Sequence, residues 1–159
     1  MPDMNDVVMR VFAFALAAAV ITMPSHAKDE VMEQAVGEFE VKLVPVSAAD
    51  EALMRMSIDK QFHGDLEATS VGQMMAGGNE TNKARVYVAL ETVTGKLDGR
   101  AGSFILAHRG TMTSSDQNLS VIVVPDSGTG DLKGISGTLQ INIEGGKHFH
   151  RLDYTLPKD

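Results

Sequence analysis

Two histidines near the C-terminus have the spacing of a ligand pair. His148 and His150 are separated by one residue in an alternating stretch, and side chains two residues apart on a strand point to the same face. Two such imidazoles suit a metal site, and His63 and His108 are further imidazoles that would complete it. No glutamate follows His150. We therefore expect no metal, and we expect one of the two histidines to lie at a barrel mouth and bind a neighbouring carboxylate or carbonyl group.

Tyr87 and Glu91 form a second candidate group. They are four residues apart, with Ala89 between them, so they share one face of a strand-like run. If this face points into a barrel, burial raises the pKa of Glu91 and makes it a candidate general base. If the face points outward, Glu91 is solvated and pairs with a lysine or arginine. The sequence leaves both orientations open.

His108 ends an apolar stripe that it shares with Phe104 and Leu106. Because imidazole exchanges protons near neutral pH, His108 joins Glu91 as a candidate catalytic residue. The alternative is a structural histidine that is hydrogen-bonded in a core or at its rim.

A glycine-rich run occupies residues 127–134. It lacks the following helix and the Lys-Ser/Thr pair of a phosphate loop. It predicts a bulged connection between two strands. A loop at a barrel mouth whose Ser127 and Thr129 hydroxyls touch a ligand is the alternative.

These residues must be positioned by strands. Beyond residue 36 helical periodicity is almost absent, and short alternating or apolar stretches are separated by Gly, Asp and Asn clusters. The pattern predicts about eight strands, and closing them into a single antiparallel barrel removes exposed edges. The expected strands cover residues 39–46, 54–62, 66–75, 85–94, 103–108, 119–124, 139–143 and 149–156.

The N-terminus predicts a targeting element. An apolar run at 11–21 follows Arg10 and precedes Pro24, and Ser25 and Ala27 fit a signal-peptidase site. The run is shorter than the roughly 20 apolar residues of a spanning helix. We expect residues 1–27 to be a signal peptide, 28–36 a polar lead-in, and 37–159 the barrel domain of a periplasmic or secreted protein.

Composition excludes several classes of function. The chain has no cysteine, so it has no disulfide, thiolate metal site or cysteine nucleophile. Its net charge is −7, its charges are interspersed, and it has no tryptophan, which argues against nucleic acid as a partner. After signal cleavage we expect no membrane association and no cofactor.

Several motifs resemble those of a known family in type, order and spacing. They are KQFHGDL at 60–66, GRAGSF at 99–104, HRG at 108–110, PDSGTGDL at 125–132 and GISG at 134–137, with His148 and Tyr154 after them. The sequence is similar to a family of small bacterial proteins that is catalogued only as a domain of unknown function. The resemblance implies an allene-oxide-cyclase-like, calycin-like barrel. It implies no activity, because one fold hosts many functions.

The barrel suggests a binding protein, since small barrels hold either packed side chains or one small ligand. We expect a small, partly apolar molecule in the interior or mouth, lined by Tyr87, Glu91, Phe104, His108, His148 and Tyr154. A cofactor-free cyclase or isomerase using Glu91 or His108 is the enzymatic alternative. A module that self-associates into a homo-oligomer through its outer apolar face is the structural one.

Overall fold

A computed structural model describes residues 31–46, 53–79 and 81–157 of the chain. The described residues form a closed antiparallel barrel in which each strand pairs with its neighbour in sequence and β1 pairs with β8. The predicted all-β class and eight strands are confirmed. The strands are β1 Glu33–Val46, β2 Met54–Gly64, β3 Leu66–Asn79, β4 Ala84–Leu97, β5 Arg100–Met112, β6 Gln117–Val123, β7 Ser136–Glu144 and β8 Lys147–Thr155.

One predicted boundary needs adjustment, and one predicted segment lies outside the described residues. Strand β1 begins at Glu33, so the last four residues of the expected polar lead-in belong to the barrel wall. The expected signal peptide at 1–27 lies outside the described residues. Among the residues that are described, no helix has the length and apolar character needed to cross a membrane.

One end of the barrel is closed by packed side chains. Inward-facing residues of all eight strands meet there, and a short 3-10 turn at Gly130–Leu132 adds the buried Leu132, followed by the buried Ile135. The core consists of Ala35, Phe39, Phe62, Leu66, Ala68, Val93, Leu97, Phe104, Leu106, Val121, Val123, Leu132, Ile135, Leu139, Leu152, Tyr154 and Leu156. This end supplies the apolar burial that holds the fold together.

The glycine-rich run covers part of this closed end. The Thr129 hydroxyl accepts a hydrogen bond from the Ser103 backbone N–H at 3.0 Å, and the Ser127 hydroxyl accepts one from the Ile105 N–H at 3.0 Å. The run therefore takes the place of a strand beside the first part of β5. The predicted connection between two strands is confirmed, since the run joins β6 to β7 and has positive φ angles at Gly130 and Gly134. The alternative of a mouth loop is wrong, because both hydroxyls are used structurally at the opposite end.

At the other end of the barrel, the described residues form no packed cover. Strand alternation points five large apolar residues inward there, yet all five are exposed, with exposed fractions of 38–62%. They are Leu43, Met54, Met112, Leu119 and Ile143. We call these residues the mouth ring. An inward-facing side chain remains exposed only where the barrel interior is open to solvent, so the packed core ends below this ring.

The contrast between the two ends predicts different responses to the same truncation. Leu106 is fully buried in the closed end, and we expect Leu106→Ala to lower the free energy of unfolding by about 2–5 kcal/mol. Leu119 faces the open mouth, so Leu119→Ala should lower it by less than about 1 kcal/mol. Urea unfolding followed by circular dichroism measures both values. Equal losses would mean that the mouth is packed like the closed end.

Candidate functional site

Glu91 is the centre of a buried polar cluster in the barrel interior. It lies on β4 with 1% of its surface exposed, which settles the orientation that the sequence left open. Lys60 Nζ donates to Oε1 at 2.6 Å, Ser70 Oγ donates to Oε2 at 2.6 Å, and His108 Nε2 lies 2.8 Å from Oε1. The carboxylate is therefore bonded by groups from three other strands.

The strand register explains how these groups meet. Glu91 faces Gly72 on β3, and a methyl group at Gly72 would overlap the Glu91 Cβ and the Leu90 carbonyl oxygen. The missing side chain leaves room for the carboxylate to approach β3. Ser70 lies one inward position along β3 and pairs directly with Lys60 of β2. The cluster thus depends on a glycine in the middle of a strand.

The environment sets the charge of Glu91. Burial alone would raise its pKa, but the hydrogen bond with His108, the charge and hydrogen bond of Lys60 and the hydrogen bond of Ser70 outweigh burial and lower the pKa to about 2. The expectation that an inward-facing Glu91 has a raised pKa is therefore wrong. The sequence did not reveal the three donors. A carboxylate held this firmly in its charged form is a weak general base.

Aromatic rings line the interior on the other side of Lys60. The Lys60 ammonium lies 5.1 Å from the ring centre of Phe39 and 5.7 Å from that of Phe62, within the range of cation–π contacts. The Phe39 ring also packs 5.2 Å from the ring of His148 and 6.4 Å from that of His150. Lys60 therefore contacts aromatic rings on one side and the Glu91 carboxylate on the other.

His150 is buried without a hydrogen bond. It is 3% exposed, and neither ring nitrogen has a hydrogen-bond partner. Its ring meets Phe62 edge-on at 5.4 Å. Burial lowers the pKa of His150, with Lys60 adding to this effect and Asp65 opposing it. The predicted carboxylate or carbonyl partner is absent for this residue among the described residues, so two buried polar atoms are left unsatisfied.

His148 lies beside a cleft in the barrel wall. Strand β1 continues to Val46, but its pairing with β8 ends where Phe39 faces His148. A cleft of about 400 Å3 lies between this part of β1 and the β7–β8 turn, with Phe39, Val41 and His148 among its lining residues. Within the described part of the chain, no group of three or more His, Asp or Glu side chains is arranged to hold a metal ion.

The remaining predicted residues fall into two places. Tyr87 is half-buried near the mouth, where its ring occupies the space that a side chain at Gly110 would need. Burial and the Glu91 charge raise its pKa. Phe104 and Tyr154 are fully buried in the closed end. The structure thus brings Tyr87, Glu91 and His108 close together, places His148 at the wall cleft, and separates Phe104 and Tyr154 from both.

Tyr154 serves the closed end of the barrel. Its hydroxyl lies 2.6 Å from Asp98 Oδ2 and 2.9 Å from Glu33 Oε2, and Arg100 donates to it at 3.2 Å. Burial and the bonds to Asp98 and Glu33 raise the pKa of Tyr154. These contacts join β1, β8 and the β4–β5 turn, so the tyrosine has a structural role.

Sequence reasoning missed Lys60 and Ser70. The alternating pattern did carry a signal for Lys60, which shares a strand face with the apolar Ile58 and Phe62. A lysine on an apolar face requires a buried partner or an open interior. Ser70 gave no such signal, because a serine among small residues fits many strands.

Comparison with known proteins identifies relatives without assigning an activity. The model of a family described as a protein of unknown function (DUF3224) matches residues 35–154. A crystal structure of a protein with unknown function from the same family, from Shewanella oneidensis MR-1, is 42% identical. That match has a TM-score of 0.75 and covers 81% of this chain and 99% of that chain. The search of curated proteins found no match.

Removing the charge of Glu91 should destabilise the fold. Glu91→Gln leaves the Lys60 charge buried without its partner, and we expect the free energy of unfolding to fall by about 3–5 kcal/mol. Glu40→Gln is the control, because Glu40 pairs with His63 at the surface and should contribute less than about 1 kcal/mol. Urea unfolding at pH 7 compares the two. Similar small losses in both variants would contradict a buried ionic cluster.

His150 should make stability depend on pH. Its folded-state pKa is lowered from 6.5, so protons bind the unfolded chain preferentially, and stability should fall as pH decreases below about 6.5. His150→Leu should remove this part of the fall. His63 is exposed, so the His63→Leu variant should retain the fall in stability. Thermal unfolding at a series of pH values measures the slopes, and equal slopes in wild type and His150→Leu would contradict a buried neutral His150.

Proposed function

This chain belongs to the DUF3224 family, and we propose that it is a binding protein that holds one small, partly apolar molecule in the open mouth of its barrel. The observation that carries this proposal is the mouth ring. It places exposed apolar side chains on inward-facing positions directly above an interior that contains polar groups. Ligand sites typically combine apolar walls with a few oriented polar groups.

The polar groups suit the recognition of a polar end of such a molecule. The Tyr87 ring lies over Gly110 near the mouth, and His150 has two ring nitrogens without a hydrogen-bond partner. The cleft beside Phe39 and His148 has a volume of about 400 Å3, which is within the usual range for small-molecule sites. Phe104 and Tyr154 do not enter this proposal, because both are used in the closed end.

We also propose that the protein acts outside the cytoplasm. Support comes from the apolar run at 11–21 followed by Pro24 and the Ser25-His26-Ala27 site. Cleavage there leaves a barrel domain without cysteines, which is insensitive to the redox state of its compartment. The intact mass of protein recovered from the periplasm or medium tests this, with a chain that begins at Lys28 as the expected result.

A cofactor-free cyclase or isomerase is the second candidate. It is supported by the contact between Glu91 and His108 inside the barrel and by the expected likeness to allene oxide cyclase. The lowered pKa of Glu91 opposes it, since a proton acceptor works best with a pKa near the operating pH. We therefore favour binding over catalysis.

A neutral, partly apolar probe tests the proposed site. N-phenyl-1-naphthylamine should bind the protein with a rise in fluorescence, and Leu43→Glu should weaken its binding at least about tenfold, because it puts a charge among the apolar walls of the mouth. Leu90→Glu is the matched control. Leu90 is also exposed but lies on the outer face of β4, so this variant should bind the probe within about twofold of wild type.

The matched pair separates the mouth from the outer surface. If Leu90→Glu abolishes probe binding and Leu43→Glu does not, the probe occupies the outer face and the proposal fails. Failure of the wild-type protein to bind the probe, together with native mass spectra free of any copurified organic molecule, would also overturn it. Circular dichroism of both variants establishes that each remains folded.

A further inference from the structure

The outer wall of the barrel carries a second apolar surface. Alternation that points Tyr87, Ala89 and Glu91 inward turns the intervening residues of β4 outward, and these are exposed. Neighbouring strands continue the surface, since Val88 faces Met75 on β3, and Leu90 faces Ala107, which in turn faces Ile122 on β6. We call this surface the β3–β6 patch. Its large apolar members are Val71, Met75, Val86, Val88, Leu90 and Ile122.

We propose that the β3–β6 patch is the interface through which two copies of this chain associate. The proposal is independent of the ligand site, because the patch lies on the outside of the wall whose inner side holds Glu91. The side chains of the patch point outward, away from the mouth ring and from the buried cluster. Binding at the mouth and association through the patch can therefore fail separately.

The charge pattern favours a second copy as the occupant. From Val71 on β3 to Ile122 on β6, the outward positions of the patch carry no acidic residue, although the whole chain has a net charge of −7. Arg109 of β5 faces Val88 within the patch, and Arg55 of β2 lies at its edge, where it bonds the Gln73 side chain at 3.1 Å. A second copy on this surface therefore brings no carboxylates together.

Other occupants fit this pattern less well. An anionic membrane would repel a chain with this net charge, and the arginines at or near the patch among the described residues, Arg55 and Arg109, are too few to offset it. Nucleic acid would require a basic stripe, and the apolar centre offers none. Monomeric proteins rarely expose apolar patches above a few hundred square ångströms, so burial of this one against a partner is expected.

The size of the patch matches the centre of a stable dimer interface. Four strands spaced about 4.8 Å apart, with about seven residues rising about 3.4 Å each along β4, span roughly 19 by 24 Å. A standard interface buries about 800 Å² on each partner, as an apolar centre surrounded by a polar rim. Arg55 lies at the β2 edge of the patch, and Gln73 and Arg109 contribute polar groups within it, facing Leu90 and Val88. A surface depression of about 490 Å3, lined by Met75, Val88 and Leu90 together with Arg55 and Gln73, offers space for side chains of the second copy.

Sedimentation velocity over a range of protein concentrations tests the proposal. The wild-type protein should sediment as a dimer at about 100 µM and dissociate on dilution. Val88→Lys should weaken the dimer at least about tenfold, because it places a charge at the centre of the interface. Val44→Lys is the matched control. Val44 has similar exposure and points outward from β1, away from the patch. The Val44→Lys variant should therefore dimerise with the same affinity as the wild type.

Each other outcome contradicts the proposal. A wild-type protein that is monomeric at all concentrations overturns it, and a monomer that also cosediments with phosphatidylglycerol vesicles assigns the patch to a membrane. A dimer that is weakened by Val44→Lys and not by Val88→Lys places the interface on another face. If Val88→Lys does not fold, Leu90→Lys tests the same surface, and probe binding at the mouth should persist in the monomeric variant.

Discussion

The pairing of β1 with β8 is the constraint on which the other features depend. These are the first and the last strand in the sequence of the barrel, and their ladder runs from Glu33 facing Tyr154 to Phe39 facing His148. It closes a sheet that would otherwise expose two long edges. Closure defines an inside, and only then do Lys60, Glu91 and His150 become interior groups. Because the ladder ends at Phe39 while β1 continues, the same pairing also produces the cleft beside His148.

The buried polar groups of the interior differ in how well hydrogen bonds compensate the free-energy cost of their burial. Glu91 is compensated by three donors, so its charge survives burial. His150 is neutral and uncompensated, and an unsatisfied buried group costs on the order of 1–3 kcal/mol. The packed closed end offsets such costs. A barrel that needed only stability would fill this layer with apolar residues, since replacing buried ion pairs by well-packed apolar side chains is often neutral or stabilising.

The two apolar surfaces differ in a way that a list of hydrophobic residues does not reveal. Leu43 and Leu90 have comparable exposure, yet one faces the open interior and the other faces outward. The mouth ring faces the barrel axis, where we propose that a small molecule binds. The β3–β6 patch covers a sheet face, which suits a large partner surface. One strand, β4, contributes to both the interior cluster and the outer patch through the alternation of its side chains.

The sequence by itself determined the class of structure and the position of most strands, because alternation and turn residues are local signals. It identified Glu91, His108 and His148 as residues of interest by type and spacing. It could not determine which face of β4 is inside, since Val86, Val88 and Leu90 form the more apolar face and nevertheless point outward. It also missed Lys60 and Ser70 as partners of Glu91. Only closure of the barrel decided these points, because the sign of the pKa shift of Glu91 depends on groups from β2, β3 and β5 that the register brings together across the interior.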